Sequence, residues 1–498
     1  MIIGMEIHAE LKTKSKMFCT CNNDSQGAEP NTNVCPICLG HPGTLPYPNK
    51  EAIEWTILLG LALNCKINEF SKFDRKNYSY PDLPKGYQIS QFELPFCYQG
   101  YLEVNGEKIE ITRIHLEEDT GKSMHLAGKD HSLIDLNRAG TPLIEMVTEP
   151  VIEDAETAKK FCQRYQQILR YLDISNADME KGEMRCEANI SIQEKGKWTY
   201  EDGVIKPVGG YKLNPKVELK NINSFKAVEK AINYEIERQK KALAEGEELI
   251  QETRGWNEDK GISVSQRAKE TSADYRYFPE PDIPPVKISG QWIEEIRSKM
   301  VELPNAKKKR FIEEYNFSDE NAEMLVSEKN LADYAEKVVS ELRAWIDSTD
   351  DSWERQKTKL AKLTSNWLLS ELFSHLNKDG KKITDISITP ENFAELMTLV
   401  YQDKVNSSAG QKLLSVMYEK GGDPSQIMED MGLEQLDNEE ELEETIKEVL
   451  EKNPGQVEVY KSGKTAILQY FVGQTMAATK GKANPKKVAE ILKRLLSN

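Results

Sequence analysis

Four cysteines near the start of the chain fall within a 20-residue window, as Cys19-Thr-Cys21 and Cys35-Pro-Ile-Cys38. Two short-spaced pairs joined by a loop can supply four thiolates, the ligand set of a tetrahedral zinc site. The alternative is a set of free thiols. The other four cysteines are scattered, as Cys65, Cys97, Cys162 and Cys186, so the clustering favours zinc. Because cysteines would fill all four positions, we expect this zinc to be structural.

Charged side chains and histidines recur at every second position in four predicted strands. Successive side chains of a β-strand point to opposite faces, so each strand has an apolar back and a polar front. The fronts comprise Glu6, His8 and Glu10, then Arg113, His115 and Glu117, then Arg185, Glu187, Asn189 and Ser191, and finally Glu218 and Lys220.

A sheet with one solvated face explains any single strand of this kind. Three features argue for a functional site in the set as a whole. The fronts mix Glu, His, Arg and Asn, and they contain His8 and His115, two of the chain's six histidines. Glu145 also lies inside an apolar run, where an unpaired carboxylate would be costly. Carboxylates with a histidine suit Mg²⁺, and neighbouring cations suit a phosphoryl group. The fronts therefore predict a metal and anion site, although neither a P-loop nor a protein-kinase signature is present.

Two further segments could contact nucleic acid. The turn-rich segment 73–82 combines Arg75 and Lys76 with Tyr78 and Tyr80, which could stack on an unpaired base or clamp a phosphate. An ordinary loop packed by tyrosines is the alternative. Residues 457–498 contain eight Lys/Arg against two Glu, a footprint suited to an RNA backbone. A solvated helix face is the alternative there.

Composition limits the class of protein. A chain of 498 residues predicts two to four domains, and 39% hydrophobic with 30% charged residues predicts a soluble globular protein. No apolar stretch of about 18 residues is present, so no membrane span is expected. The net charge of −16 restricts nucleic-acid contacts to local basic patches. Without signal-peptide features at the N-terminus, the expected location is the cytoplasm.

Local patterns predict the elements that must position these residues. Apolar spacing predicts a helix over 154–172 and another after Ser224 as N-cap, and Asn105-Gly106 between two strand-like segments predicts a hairpin. Strand patterns dominate up to about Pro285, and helical patterns follow. We expect an α+β fold with three domains: an antiparallel-sheet domain (1–290), an all-helical domain (291–405) and a small helical tail (406–498).

Six segments in order along the chain resemble the GatB family, the B subunits of tRNA-dependent amidotransferases. They are residues 4–8 (GMEIH), 74–78 (DRKNY), 115–119 (HLEED), 136–150 (LNRAGTPLIEMVTEP), 219–225 (LKNINSF) and 274–282 (DYRYFPEPD). The resemblance implies a cradle domain with a kinase and transamidase site, a helical domain, and a YqeY-like tail that touches tRNA.

The resemblance also implies an activity. ATP would activate the side-chain carboxylate of Glu-tRNA(Gln) or Asp-tRNA(Asn), and ammonia released from glutamine by the GatA subunit would then displace phosphate. GatC would tie the two subunits together. No Ser-Lys amidase arrangement is evident, in keeping with a glutaminase on another subunit. The alternative is a non-catalytic, zinc-stapled scaffold that binds tRNA.

Site residues follow by position from the same resemblance. His8, Glu117 and Glu145 match the Mg²⁺ ligands, with Glu6 beside them, and these four are the predicted catalytic residues. Arg75, Lys76, Tyr78 and Tyr80 would line the entry used by ammonia or by the acceptor end of the tRNA. The residues predicted to bind substrate are these four together with Arg138, Arg185, Glu187 and Lys220. Cys19, Cys21, Cys35 and Cys38 match the zinc-bearing version of the family, in which zinc supports the fold.

Overall fold

The computed structural model describes residues 1–126, 128–201, 203–268, 275–349, 351–433, 439–479 and 481–497. Asp274, Lys480 and Asn498, which belong to segments singled out above, lie outside the described residues. The chain divides into two compact units, Met1–Leu303 and Pro304–Asn498. The first holds the strands, and the second is helical.

The described strands all belong to the first unit. In chain order they are β1 (Ile2–Glu10), β2 (Lys66–Ile67), β3 (Phe70–Ser71), β4 (Asp74–Asn77), β5 (Tyr87–Ser90), β6 (Cys97–Val104), β7 (Glu107–Glu118), β8 (Lys122–His125), β9 (Ser132–Asp135), β10 (Pro142–Thr148), β11 (Met184–Ser191), β12 (Trp198–Glu201), β13 (Val204–Pro207), β14 (Val217–Ile222), β15 (Glu252–Asn257), β16 (Ile262–Ala268), β17 (Phe278–Pro279) and β18 (Val286–Lys287).

Nine of the described strands form one large sheet, in the order β16-β15-β14-β11-β1-β10-β7-β6-β2. Every neighbouring pair is antiparallel except β14 and β15, which run parallel. The smaller sheets are β17-β4-β5, β8-β9, β12-β13 and β18-β3. The antiparallel sheet predicted for the first part of the chain is confirmed.

Four helices accompany the strands: α1 (Lys50–Ala62), α2 (Ala155–Tyr171), α3 (Phe225–Ala244) and α4 (Gly290–Arg297). Their buried side chains share one apolar cluster with the backs of the strands. Both predicted helices are confirmed, and their N-caps explain where they begin. Asp154 accepts a hydrogen bond from the Thr157 amide at 2.8 Å, and Ser224 accepts one from the Ala227 amide at 3.1 Å, satisfying amides that a helix start leaves unpaired.

The predicted hairpin joins β6 to β7. Asn105 and Gly106 have φ of 53° and 84°. Two consecutive positive φ values are those of a type I′ turn, whose twist matches antiparallel strands and which favours Asn-Gly. The hairpin prediction is confirmed, and its long second strand carries Arg113, His115 and Glu117.

The described part of the second unit is helical, which confirms the predicted fold class. Its helices are α5 (Pro304–Tyr315), α6 (Asp319–Leu325), α7 (Lys329–Asp347), α8 (Trp353–Asn366), α9 (Phe373–Asp379), α10 (Pro390–Tyr401), α11 (Ser407–Lys420), α12 (Pro424–Met431), α13 (Glu439–Glu451), α14 (Pro454–Lys461), α15 (Leu468–Ala478) and α16 (Pro485–Ser497). A π-helical turn, Trp367–Leu372, joins α8 to α9, and short 3-10 turns span Ile383–Asp385 and Thr465–Ile467.

Two apolar clusters lie within this unit, one spanning residues 311–428 and the other residues 442–496. The three domain boundaries predicted from the sequence stay predictions. None of the helices formed by the described residues is long and apolar enough to cross a membrane.

Candidate active site and metal cluster

Strand register aligns the polar fronts into a row across the sheet. Arg185 of β11 lies opposite His8 of β1, His8 lies opposite Glu145 of β10, and Glu145 lies opposite His115 of β7. We call this row, Arg185–His8–Glu145–His115, the ladder. A slip of one residue would turn a strand's side chains to the other face, and burial of the apolar backs holds the register.

Histidines and carboxylates meet at the centre of the ladder. The Nε2 atoms of His8 and His115 each lie 3.3 Å from a Glu145 carboxylate oxygen. Glu117 lies 3.9 Å from His8 Nε2 and 3.6 Å from His115 Nε2, and Glu6 lies 3.9 Å from His8 Nε2. Ligand atoms of Glu6, His8 and Glu145, and likewise of His115, Glu117 and Glu145, lie within 4.8 Å of one another. Either group could hold a metal ion.

The charges of neighbouring groups shift the pKa values of these residues in the direction opposite to the one that burial alone would give. Burial alone would lower the pKa of His8, but its hydrogen bond to Glu145 and the Glu145 charge raise it to about 9. Burial would raise the pKa of Glu145, but the charge and hydrogen bond of His115 hold it well below its usual value. Burial would also raise the pKa of Glu117, but the charge of the Lys76 ammonium outweighs it, and the pKa lies below its usual value. Glu117 and Glu145 are therefore anionic at neutral pH, as ligands of a hard cation must be.

The four residues of the ladder line a cleft of about 410 Å³, which is called the cleft below. Nine of the residues predicted for the site line it: Glu6, His8, Lys76, Tyr78, Glu117, Glu145, Arg185, Glu187 and Lys220. Lys220 Nζ donates to a Glu187 carboxylate oxygen at 2.7 Å. The lining therefore combines carboxylates with several cations, an arrangement suited to a metal ion next to a polyanion.

Three predicted substrate-binding residues do not line the cleft, and their roles stay predictions. Arg75 makes two hydrogen bonds to Glu280, at 2.7 and 2.9 Å, and lies over the Tyr87 ring. Residues 74–77, read as part of a loop, form strand β4, and alternation along it separates Arg75 from Lys76. Tyr80 is 63% exposed, and the centroid of its ring lies 6.0 Å from that of Tyr78.

Arg138, the third of these residues, binds backbone. Its Nε donates to the Thr120 carbonyl at 3.0 Å and its Nη2 to the Gly121 carbonyl at 2.8 Å. Its Nε also lies 3.7 Å from a carboxylate oxygen of Asp119, and Asp119 does line the cleft. Arg138 therefore contacts a residue that lines the cleft but does not line the cleft itself.

The four-cysteine cluster, Cys19, Cys21, Cys35 and Cys38, comes together as predicted, with all four sulfurs within 4.8 Å of one another. Tetrahedral coordination at a metal–sulfur distance of about 2.3 Å puts sulfurs about 3.8 Å apart, a spacing that falls within this limit. The Cys35 amide donates to Cys38 Sγ at 3.1 Å, and a hydrogen bond from Cys19 lowers the pKa of the Cys38 thiol. The cluster is a possible four-thiolate metal site.

Two family models match this chain: the GatB/GatE catalytic domain over residues 1–294 and the GatB domain over residues 353–496. The chain belongs to the GatB/GatE family. The family predicted from the sequence motifs is thereby confirmed.

Curated relatives match the GatB/GatE chain over its whole length. The B subunit of the aspartyl/glutamyl-tRNA(Asn/Gln) amidotransferase of Thermoanaerobacter pseudethanolicus is 46% identical over 500 residues, covering 100% of this chain and 99% of the relative. The protein of the same name from Dehalococcoides mccartyi (strain CBDB1) is 46% identical over 504 residues, covering 99% and 98%. That of Persephonella marina is 44% identical, covering 99% of each chain.

Sequence reasoning missed several residues that line the cleft of this GatB/GatE chain, among them Asp119, Tyr275 and Tyr277. Asp119 is buried and forms an ion pair with Arg185. It lies two positions after Glu117, so the alternation that identified Glu117 could have found it. Tyr275 and Tyr277 alternate in the same way, and the Tyr277 ring stacks on Phe92 at 4.3 Å. These two tyrosines line the cleft only because their segment packs against residues distant in the sequence, such as Phe92, and no local pattern shows that packing.

Proposed function

We propose that this chain is the subunit that carries phosphoryl transfer and amide formation in a glutamine-dependent aminoacyl-tRNA amidotransferase. Its substrates would be Glu-tRNA(Gln), Asp-tRNA(Asn) or both, and its products Gln-tRNA(Gln) and Asn-tRNA(Asn). The observation that supports this best is the ladder with Glu117, since anionic carboxylates and histidines lie there within metal-binding distance in a cleft that also holds Lys76, Arg185 and Lys220. The full-length relatives named for this activity support it further.

The chemistry that fits the cleft has two steps. A side-chain carboxylate oxygen of the misacylated tRNA attacks the γ-phosphorus of ATP, a P–O bond forms, and ADP leaves. Ammonia then attacks the activated carbonyl carbon, and phosphate leaves with that carboxylate oxygen. The first step is needed because a carboxylate is a poor electrophile. In-line transfer of this kind depends on positioning and charge neutralisation rather than on a protein nucleophile.

Named residues would divide these tasks. His8, Glu117 and Glu145, with Glu6 beside them, would hold Mg²⁺, which neutralises charge on the phosphates when bound. Lys76, Arg185 and Lys220 would orient the anionic groups.

The other predicted site residues would guide substrates or position neighbouring side chains. Tyr78 and Tyr80, with Arg75, would guide the acceptor end of the tRNA or ammonia. Arg138 would position Asp119, to whose carboxylate it lies close. Glu187 would fix the Lys220 ammonium, to which it is hydrogen-bonded.

The remaining assignments concern partners and the second metal. Ammonia would come from the GatA glutaminase, with GatC joining the subunits in the cytoplasm, and the YqeY-like tail would hold the tRNA. Zn²⁺ would occupy the four-cysteine cluster, where the four thiolates leave no open position for substrate. Zinc would therefore support the fold and take no part in the reaction.

Conversion of misacylated tRNA by the assembled complex tests this proposal. The chain is purified together with its GatA and GatC partners and assayed with ATP, glutamine and each misacylated tRNA in turn. We expect Gln-tRNA or Asn-tRNA only when both ATP and glutamine are present. Product formation without ATP would refute phosphoryl activation. If Glu117→Gln and Glu145→Gln variants both convert tRNA at the full rate, the scaffold alternative is correct instead.

A further inference from the structure

Lys16 is a fully buried lysine that lies between the four-cysteine cluster and the loop of residues 137–141. Its side chain has 0% exposure. Its Nζ donates to the Asn33 carbonyl at 2.7 Å and to the Ala139 carbonyl at 2.8 Å, and lies 3.9 Å from Cys38 Sγ. An ammonium has three donors, so two are used on carbonyls and the third faces the sulfur.

Burying a cation is costly unless a negative charge accompanies it. Among the described residues, no carboxylate pairs with Lys16, whose side-chain partners are the two carbonyls and the Cys38 sulfur. Four thiolates around one divalent metal ion carry a net charge of about −2. Metal bound in the cluster therefore fixes a net negative charge next to Lys16, and loss of the metal would remove that fixed charge.

Backbone hydrogen bonds connect the segment that contains Ala139 to Asp119. The Met17 amide donates to the Gly140 carbonyl at 2.7 Å, and the Gly140 amide donates to the Asp119 carbonyl at 2.9 Å. The Asp119 amide in turn donates to the Thr141 carbonyl at 2.8 Å. At its other end, the Asp119 carboxylate pairs with Arg185 and lines the cleft.

The loop of residues 137–141 packs directly against Lys16 and Cys38. Gly140 has a φ of +89°, and a Cβ built there would lie 3.4 Å from Lys16 Cδ and 3.5 Å from Cys38 Cβ. A second tie runs through Asn137, which accepts from the Asn33 amide at 2.8 Å. That tie is uncharged, so it does not respond to the charge of the cluster as Lys16 does.

We infer that Lys16 is a positioning residue that couples occupancy of the four-thiolate site to the placement of Asp119 at the edge of the cleft. This inference rests on metal binding by the cysteines but not on the reaction assigned to the cleft. Its tests use metal release and amide exchange, so they can fail or succeed independently of the proposed activity.

Zinc release provides the first test. Full-length protein loaded with Zn²⁺ is mixed with a zinc-selective chromogenic chelator in excess Mg²⁺. We expect Lys16→Met to release zinc at least about tenfold faster than the unaltered chain, because a hydrogen-bonded charge is lost next to the thiolates. Lys14→Met, a change of an exposed lysine two residues away, is the matched control and should release zinc at the normal rate. Normal release from Lys16→Met would overturn the inference.

Hydrogen–deuterium exchange provides the second test and does not depend on the variant folding. Removing zinc from the unaltered chain should speed exchange in peptides containing the Met17, Asp119 and Gly140 amides by about tenfold or more, while the β6–β7 hairpin keeps its protection. In Lys16→Met these amides should already exchange fast, and zinc removal should add little. Unchanged protection around Asp119 and Gly140 in the zinc-free unaltered chain would refute the coupling, as would additive effects of variant and zinc removal.

Discussion

Replacing Glu145 with Gln removes one negative charge from the middle of the ladder with almost no change in side-chain size. Glu145 is 5% exposed, and its carboxylate faces three basic groups. They are His8 and His115, each at 3.3 Å, and Arg113 at 3.7 Å. The substitution therefore tests the predicted metal ligand set without opening a cavity.

The size of the effect follows from these distances. The Arg113 guanidinium and the Glu145 carboxylate, which lie 3.7 Å apart, interact by about 4.5 kcal/mol at an effective dielectric constant of about 20. Part of this is recovered when neighbours rearrange, and removal of one preorganised polar group from an active site typically costs about 3–4 kcal/mol. We therefore expect Glu145→Gln to lower the rate of tRNA-dependent ATP hydrolysis at least about 10²-fold.

Phosphate release from ATP by the assembled complex, with misacylated tRNA present, is the assay for this prediction. Glu103→Gln is the matched control, since Glu103 is an exposed carboxylate on β6 of the same sheet, and it should hydrolyse ATP at the normal rate. Basal glutaminase activity and zinc content should be normal in both variants, which shows that the complex and the fold are intact. Normal ATP hydrolysis by Glu145→Gln would refute the assignment of Glu145 as a metal ligand.

Three further predictions concern the rest of the chain. Elemental analysis should find about one zinc per chain and much less in a Cys35→Ser, Cys38→Ser double variant, and a pure metal-free protein would refute the zinc assignment. Removal of residues 439–498, which contain the last apolar cluster, should raise KM for tRNA severalfold with little change in kcat, whereas loss of all turnover would favour the scaffold alternative. Gly106→Ala should cost roughly 1 kcal/mol in unfolding free energy, because an alanine resists positive φ, and chemical denaturation with unchanged zinc content would check this.

Local patterns in the sequence were sufficient for much of the site. Alternation predicted the polar fronts of β1, β7, β11 and β14 because side-chain direction in a strand follows from backbone geometry alone. Helices α2 and α3 were predictable because the caps at Asp154 and Ser224 lie next to the segments that they start. The cysteine cluster was predictable because its ligands are close in sequence.

Long-range pairing set the limits of that prediction. The ladder requires β1 to lie between β10 and β11, and Glu145 is far from His8 along the chain, so the register could not be read from either strand alone. Residues 74–77 resembled a loop because their side chains have low strand propensity, and pairing with β5 and β17 overrides that propensity. The direction of Arg75 away from the cleft follows from that pairing.

Oxygen transfer from substrate to phosphate shows directly whether the substrate carboxylate attacks ATP. The assembled complex is given ATP, glutamine and Glu-tRNA(Gln) whose side-chain carboxylate is labelled with ¹⁸O, and the released phosphate is examined by mass spectrometry. If the carboxylate attacks ATP in the cleft, each phosphate released with Gln-tRNA carries one ¹⁸O, and Glu145→Gln yields almost no labelled phosphate. Unlabelled phosphate accompanying normal Gln-tRNA formation would rule out attack of the carboxylate on ATP, and full labelling by Glu145→Gln would rule out the cleft as the place where it happens.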